Sequence, residues 1–411
     1  MSRPPLLSLD DALPSLLARA QVLPSEVVST FDADGRVLAQ DVVSALQVPP
    51  QDNASMDGYA VCAADCTQTG ARLRVTQRIP AGSHGTPLAR GEAARIFTGA
   101  PIPEGADAVV MQEETQALDN DQVRIEVAVP SGQWIRRSGE DVTRGACVLS
   151  RGQRLTPAAL GLAASVGLAQ LQVARRPRVA LLSTGDELVM PGEVPPEAMP
   201  AGAIYNSNRF FLRSLLLRLG CEVSDCGIVP DQREATEQAL SKAAQQHDLI
   251  LTSGGVSVGE EDHIKPSVQA LGELNLWQLA IKPGKPFAYG HVRRADASTC
   301  HFMGLPGNPV SSFVTFLLLV HPFLLAMQGA TQTTVKAQTM TADFDWPRAD
   351  KRREFLRVRR NAHGGLDLFP NQSSGVLTSA VWGEGVVDNP PGRTIARGDA
   401  VSFLSFAQWL A

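Results

Sequence analysis

Six cysteines in 411 residues are too few, and too irregularly spaced, for a disulfide scaffold. Cys62/Cys66 and Cys221/Cys226 are close in sequence, but no Cys-x-x-Cys occurs and no histidine stands at finger spacing. That argues against structural zinc and for small buried hydrophobes. Aromatics make up only 5% of the chain, which leaves few stacking platforms for single-stranded nucleic acid. Neither sign of charge is in marked excess: Lys+Arg 37 against Asp+Glu 42 leaves −5, which speaks against a general polyanion binder and leaves a local basic pocket open. The most apolar run, 313–327, is shorter than the ~20 residues of a membrane span and is interrupted by His321-Pro322, so a buried helix is expected. The N-terminus, MSRPPLLSLDDALPSLL, lacks a basic-then-apolar signal, and the cytoplasm is the expected location. No nucleic-acid or membrane partner is expected.

What is present is apolar and multidomain. The AVILMFWYC set is 44% of the chain and charged residues are 19%, enough to fill sizeable cores. At ~150 residues per domain the length implies two or three domains. Residues 8–22 pattern as a short helix capped by Ser8, and 157–169 as another, with Thr156 as cap and Pro157 in the first turn. Between them, from about 28 to 150, short β-rich runs alternate with Pro/Gly turns, so this β region reads as an insertion between helical pieces. From Arg178 strands and helices alternate: VALLS, a helix over RFFLRSLLLRLG ending at Gly220, VSDCGIV, a helix capped by Asp231, DLILT, a helix near 264–271, WQLAI, FMGL, and a long helix after Pro309. The expected unit is an open, mostly parallel α/β sheet. After about 330 the texture is β again, consistent with a small barrel.

In an open α/β sheet, ligands bind beyond the carboxyl ends of the strands. Five expected strand ends carry polar or Gly-rich loops: Thr184-Gly185-Asp186-Glu187, Pro230-Asp231, Ser253 to Asp262, Lys282-Pro283-Gly284-Lys285-Pro286, and Pro306-Gly307-Asn308-Pro309 continuing to Ser312. Gly254 and Gly255 let backbone N–H groups approach an anion, and Lys282 and Lys285 form a cationic pair stiffened by prolines. Asp186, Glu187, Asp231 and Asp262 suit Mg²⁺ bridging a phosphate to protein. Together these suggest phosphoanhydride chemistry. Each also has a plainer reading: a tight turn for Gly254-Gly255, a solvated face for the lysines, a helix N-cap for Asp231 and a helix-dipole partner for Asp186-Glu187. Gly-x-Gly-x-x-Gly, the P-loop and Gly-x-Ser-x-Gly are all lacking. In the β region, DNASMDGYA, FTGAPIPEGAD and RRSGED read most simply as turn chemistry.

DNASMDGYA, RIFTGAPIPEGADAVVMQEE, RRSGEDV, RPRVALLSTGDELV, YNSNR, TSGGVSVGEEDHIK, LAIKPGKPFAYG and GLPGNPVSS, in that order, closely resemble the MoeA-type molybdopterin molybdenumtransferases, the family shared with the gephyrin E domain. The resemblance runs over about 5 to 411. It implies an enzyme that inserts molybdate into the dithiolene of adenylylated molybdopterin with Mg²⁺, releasing AMP in molybdenum cofactor biosynthesis. It also implies a homodimer in which the α/β and barrel domains of one subunit approach the partner's β domain. The implied domains are a discontinuous helical dimerisation segment, 5–45 with 146–176; an inserted β domain, 46–145; a molybdopterin-binding α/β domain, 177–330; and a C-terminal β barrel, 331–411. The upstream adenylylating protein and downstream molybdoenzyme chaperones are further expected partners.

By motif, the resemblance assigns chemistry to Asp57, Thr98, Asp141, Glu187, Asp231, Asp262, Lys282 and Lys285. Pro306, Asn308 and Pro309 belong to the family's LPGNP block. Lys282, Lys285, Ser312 and Arg357, with Ser373 or Ser374, look like the molybdate pocket. Gly254, Gly255, Ser257 and Gly259 look like the pterin-phosphate cradle, and Asp231, Asp262 and Glu187 like the magnesium ligands. Three departures stand out: Asn-Ala-Ser-Met for the usual Asn-Ser-Ala-Met, Gln278 where some relatives have lysine, and Gln232 for a second aspartate. The rival readings are the pathway's adenylylating enzyme, which resembles the α/β part alone, and a receptor-clustering scaffold. The extra β regions count against the first, and the intact acidic crevice residues against the second.

Overall fold

The computed structural model describes residues 6–255 and 263–410. The first helix, Leu9–Leu17, begins where Ser8 Oγ accepts the Asp11 N–H at 3.1 Å. A six-stranded sheet follows, ordered 108–111, 58–61, 92–96, 71–79, 122–125, 115–118. All its pairs are antiparallel except 71–79 with 92–96. The chain on either side of this sheet closes on itself: Ser25–Ser29 pairs with Gln170–Ala174, and Val42–Val43 with Cys147–Leu149. Their shared core includes Leu38, Val42, Leu149, Ala159 and Val173. The Pro157–Ser165 helix packs here, its Thr156 Oγ1 accepting from Ala159 N–H at 3.3 Å.

The α/β unit is a second six-stranded sheet, ordered 222–229, 178–184, 249–253, 299–305, 286–293, 272–278. The first four strands are mutually parallel and the last two add antiparallel. Two expectations need correcting. Pro286–Arg293 is a further strand that the sequence pattern left unassigned between the Lys282–Pro286 loop and FMGL, and WQLAI is not one strand. The Gly272–Gln278 strand ends at Gln278, and Ile281–Lys282 leaves the α/β sheet to pair in parallel with Arg353–Glu354. Because Pro286–Arg293 runs antiparallel to Thr299–Leu305, its start lies at the carboxyl end of the parallel strands. The Lys-Pro-Gly-Lys-Pro loop thus reaches the expected edge by a different route.

The C-terminal sheet is ordered 281–282, 353–360, 385–389, 400–405, 338–341, with 366–368 pairing off 353–360. The helix Leu9–Leu17, the α/β sheet and the C-terminal residues Phe355, Leu404, Phe406 and Trp409 share one apolar cluster, so the three are held together by burial.

The apolar run after Pro309 is not interrupted at His321-Pro322. The helix is continuous over Pro309–Met327, with a π-helical stretch at Phe316–Val320. Proline lacks an N–H and crowds the carbonyl four residues back, and the wider π turn immediately before it accommodates both. The nineteen-residue helix is long enough to cross a membrane, and an 18-residue window of it has mean hydropathy 2.0, but 89% of that window is buried inside the chain, which accounts for its apolarity.

Two buried histidines give the fold a pH dependence. Burial pushes both His301 and His321 down to about 4. Tyr289 Oη lies 3.0 Å from His301 Nδ1, and His321 is 4% exposed. Between about pH 6.5 and 4 the unfolded chain therefore binds more protons than the folded one, and stability falls as pH falls through that window. Each ring contributes up to about 1.4 kcal/mol per pH unit. Denaturant midpoints at pH 7 and pH 5 measure this loss, and His301→Gln is expected to reduce it.

Candidate active site

A cavity of about 830 Å³ lies at the carboxyl ends of the parallel strands, within the range of small-molecule sites. All five loops read from the sequence reach it: Thr184, Gly185 and Glu187; Asp231; Ser253, Gly254 and Gly255; Pro286; and Pro306 to Pro309. Of the expected site residues it brings together Glu187, Asp231, Gly254, Gly255, Pro306, Asn308 and Pro309. Ser257, Gly259 and Asp262 lie outside the described residues.

Backbone conformation explains the glycines. Gly254 and Gly255 have φ of +94° and +67°, where other residues are strained. A Cβ on Gly254 would stand 3.0 Å from the Thr184 carbonyl oxygen, and one on Gly255 2.7 Å from Ile264 Cγ1. Asn208, which the sequence reading passed over, ties the loops together: its Nδ2 donates to Ser253 Oγ and to the Gly307 carbonyl, both at 2.7 Å. Its signal was the polar Asn-Ser-Asn run ahead of an apolar helix.

Asp231 does not cap the following helix. Gln232 holds the N-cap position, without a side-chain cap bond, and Asp231 N–H donates to Asp186 Oδ1 at 3.3 Å. The Asp231 carboxylate has no hydrogen-bond or ion-pair partner among the described residues, and Asp231 lines the same cavity as Glu187. No cluster of three metal-binding side chains occurs among the described residues.

The expected molybdate residues sit beside this cavity, not on its wall, and their environments differ. Lys282 Nζ donates to Glu354 Oε1 at 3.0 Å and stands 3.4 Å from Asp350. Glu354 is 1% exposed and also accepts from Trp346 Nε1 at 2.8 Å. Lys282 is therefore charge-compensated, and Arg352 holds the Asp350 carboxyl well below the usual carboxylate range. Glu354 was another omission; its signal was a lone carboxylate in the apolar strand run EFLRV. Lys285 is half-buried, with no ion pair among the described residues. Ser312 is fully buried, and its Oγ has no partner there; nor has Thr315 Oγ1, which a Cβ on Gly284 would approach to 2.4 Å.

Arg357 is the most unusual of the set. It is 1% exposed, and its guanidinium bonds only to Ser379 Oγ and the carbonyls of Phe355 and Ser373. No carboxylate neutralises it among the described residues. Burial alone pushes it down to about 10, so it stays charged at neutral pH. A buried cation without a counter-ion is costly unless an anion is supplied. The Ser373–Gly375 loop joins it to the cavity: Ser374 carbonyl accepts from Val310 N–H at 2.9 Å, and Gly375 lines the wall near Asn308.

Asp57, Thr98 and Asp141 are on the N-terminal β sheet and its loops and do not line this cavity. Asp57 Oδ1 accepts from Thr98 N–H at 2.8 Å and Thr98 Oγ1 at 2.7 Å, and these bonds hold its carboxyl below the usual range. Asp141 is exposed, beside a loop braced by Ser138 N–H and Arg137 on Asp52.

Family models match most of the chain: the MoeA N-terminal region (domains I and II) over 7–167, a probable molybdopterin-binding domain over 180–326, and the MoeA C-terminal region (domain IV) over 339–406. Molybdopterin molybdenumtransferase of Haemophilus influenzae is 43% identical over 329 residues, covering 80% of this chain and 79% of its own. The protein of the same name from Synechococcus elongatus is 35% identical over 92% of this chain and 93% of its own. Among solved structures, the molybdopterin biosynthesis MoeA protein of Pyrococcus horikoshii superposes with a TM-score of 0.84 at 29% identity, covering 98% of this chain and 100% of that one.

Proposed function

The chain belongs to the MoeA family, and from that premise we propose that it inserts molybdenum from molybdate into adenylylated molybdopterin, with release of AMP. It is a transferase of molybdenum cofactor biosynthesis. The observation that carries the finer reading is the pairing of a polar five-loop cavity with a buried, carboxylate-free Arg357 beside it. The first suits a large phosphorylated ligand and the second a small dianion.

The chain's own residues divide the work. Gly254 and Gly255 leave room for a phosphate against backbone N–H groups. Arg357, Lys285 and Ser312 hold molybdate, the fixed cations taking its charge and the hydroxyl one of its oxygens. Lys282, tethered to Glu354, closes the same pocket. Glu187 and Asp231 supply hard carboxylate oxygens on the cavity wall, donors that fit Mg²⁺. Asp262 is proposed as a further ligand. The metal, when bound, would polarise the phosphoanhydride. We place Asp57, Thr98 and Asp141 against the cavity of a partner subunit in a homodimer, since they do not line this chain's own cavity.

AMP release from adenylylated molybdopterin, measured with Mg²⁺ and with or without molybdate, tests the reading. Molybdate-dependent release with molybdenum retained on the pterin is the expected result. Absence of both binding and release would refute it.

A further inference from the structure

One polar group of the cavity is used by none of these roles. Asn206 is 2% exposed and lines the cavity wall. Its Oδ1 accepts from Arg209 N–H at 3.3 Å, at the start of the 11-residue helix Asn208–Arg218. A backbone N–H requires an acceptor, so this bond assigns the amide orientation and leaves Nδ2 as the free end. Nδ2 has no partner among the described residues. Buried amide donors are rarely left without an acceptor, and an unpartnered one in a residue that lines a cavity calls for a ligand atom.

Two neighbours point to the same ligand. Thr184, which also lines the cavity, has an Oγ1 likewise without a partner among the described residues, and a Cβ on Gly255 would approach it to 3.0 Å, so the space beside it exists because that residue is glycine. Ser207, the N-cap of the helix, makes no side-chain cap bond. The helix begins at Asn208, so its positive end lies beside Asn206. These features favour an anionic oxygen. They also explain a neutral donor there: a lysine would be drawn onto Glu187 or Asp231, which line the same cavity, whereas an amide is not.

We propose that Asn206 is a specificity-determining residue that donates its Nδ2–H to a phosphoryl oxygen of the substrate. The inference rests on the function proposed above. The phosphoryl oxygen belongs either to the pterin phosphate or to the adenylyl phosphate, and the two are separable.

Asn206→Asp keeps an acceptor for Arg209 N–H, so the helix start is preserved, but it replaces the donor with an anionic oxygen. Titration calorimetry with AMP, which carries only the adenylyl phosphate, and with molybdopterin, which carries only the pterin phosphate, compares this variant with the wild-type chain. Binding of one of the two is expected to weaken by at least about thirty-fold, as for loss of a hydrogen bond to a charged group, and which one weakens identifies the phosphate. Asn206→Ser, which removes the donor without adding charge, is expected to lose about ten-fold and serves if the aspartate variant does not fold. Unchanged binding of both ligands overturns the proposal. So does an equal loss for adenosine and AMP, since Asn206 would then not read the phosphate. Wild-type protein that binds neither ligand would refute the proposed function itself.

Discussion

Asp231→Asn should leave the chain folded and lower molybdate-dependent AMP release by about 10²- to 10³-fold, the scale of losing one preorganised electrostatic contact. The structural cost is small because Asp231 is not the cap of the helix behind it; Gln232 occupies that position, and only the backbone N–H of Asp231 is engaged, by Asp186. What the substitution removes is a carboxylate charge on the cavity wall, the property a hard cation requires. The loss should appear in kcat and be partly relieved by raising Mg²⁺. Full turnover by the variant would remove Asp231 from the chemistry. Mixing this variant with Asp57→Asn chains tests the shared site as well. In a mixed dimer one site combines an intact cavity with an intact β sheet, so a random mixture should regain about a quarter of wild-type activity.

Arg357→Met is expected to raise the KM for molybdate by about 100-fold or more while leaving AMP binding within about two-fold, since a charge-assisted contact to a dianion is worth a few kcal/mol. Its effect on stability should run the other way. Arg357 is desolvated with no carboxylate partner among the described residues, and replacing such a buried charge with an apolar side chain of similar length is often neutral or stabilising. A variant that melts at or above the wild-type temperature but no longer responds to molybdate would identify Arg357 as a residue kept for its ligand. A variant that unfolds, with molybdate affinity retained in whatever fraction folds, would make it a structural residue. Melting curves with and without molybdate separate the two.

Much of the cavity was legible in the sequence because its signals are local. Ser8 and Thr156 cap helices through atoms three residues away, and the apolar run at Val179–Leu182 with its polar successor marks a buried parallel strand and its ligand-facing loop. The loops after 184, 229, 253 and 305 follow their strands directly, so naming the strand named the cavity wall. The loop at Lys282 was placed at the right edge for the wrong reason: the residues before it pair with a strand about 70 positions later, which no local pattern reveals. The role assigned to Asp231 as a cap failed similarly, because Asp ahead of a helix looks the same whether its side chain turns to the helix or to a cavity.

The sequence by itself determined the family, the alternation of β and α/β regions, and the polar loops that form the cavity, since residue order and turn chemistry are written along the chain. The tertiary structure alone decided which charges are free. Lys282 and Arg357 are both basic residues, yet among the described residues Lys282 meets the buried Glu354 and Arg357 meets only carbonyls and a hydroxyl. Likewise, Asn206 differs from any other asparagine before a helix only because folding buries its amide and gives Nδ2 no partner among the described residues. Solvation and counter-ions depend on distant segments brought into contact, and they convert a list of polar residues into a site that attracts an anion.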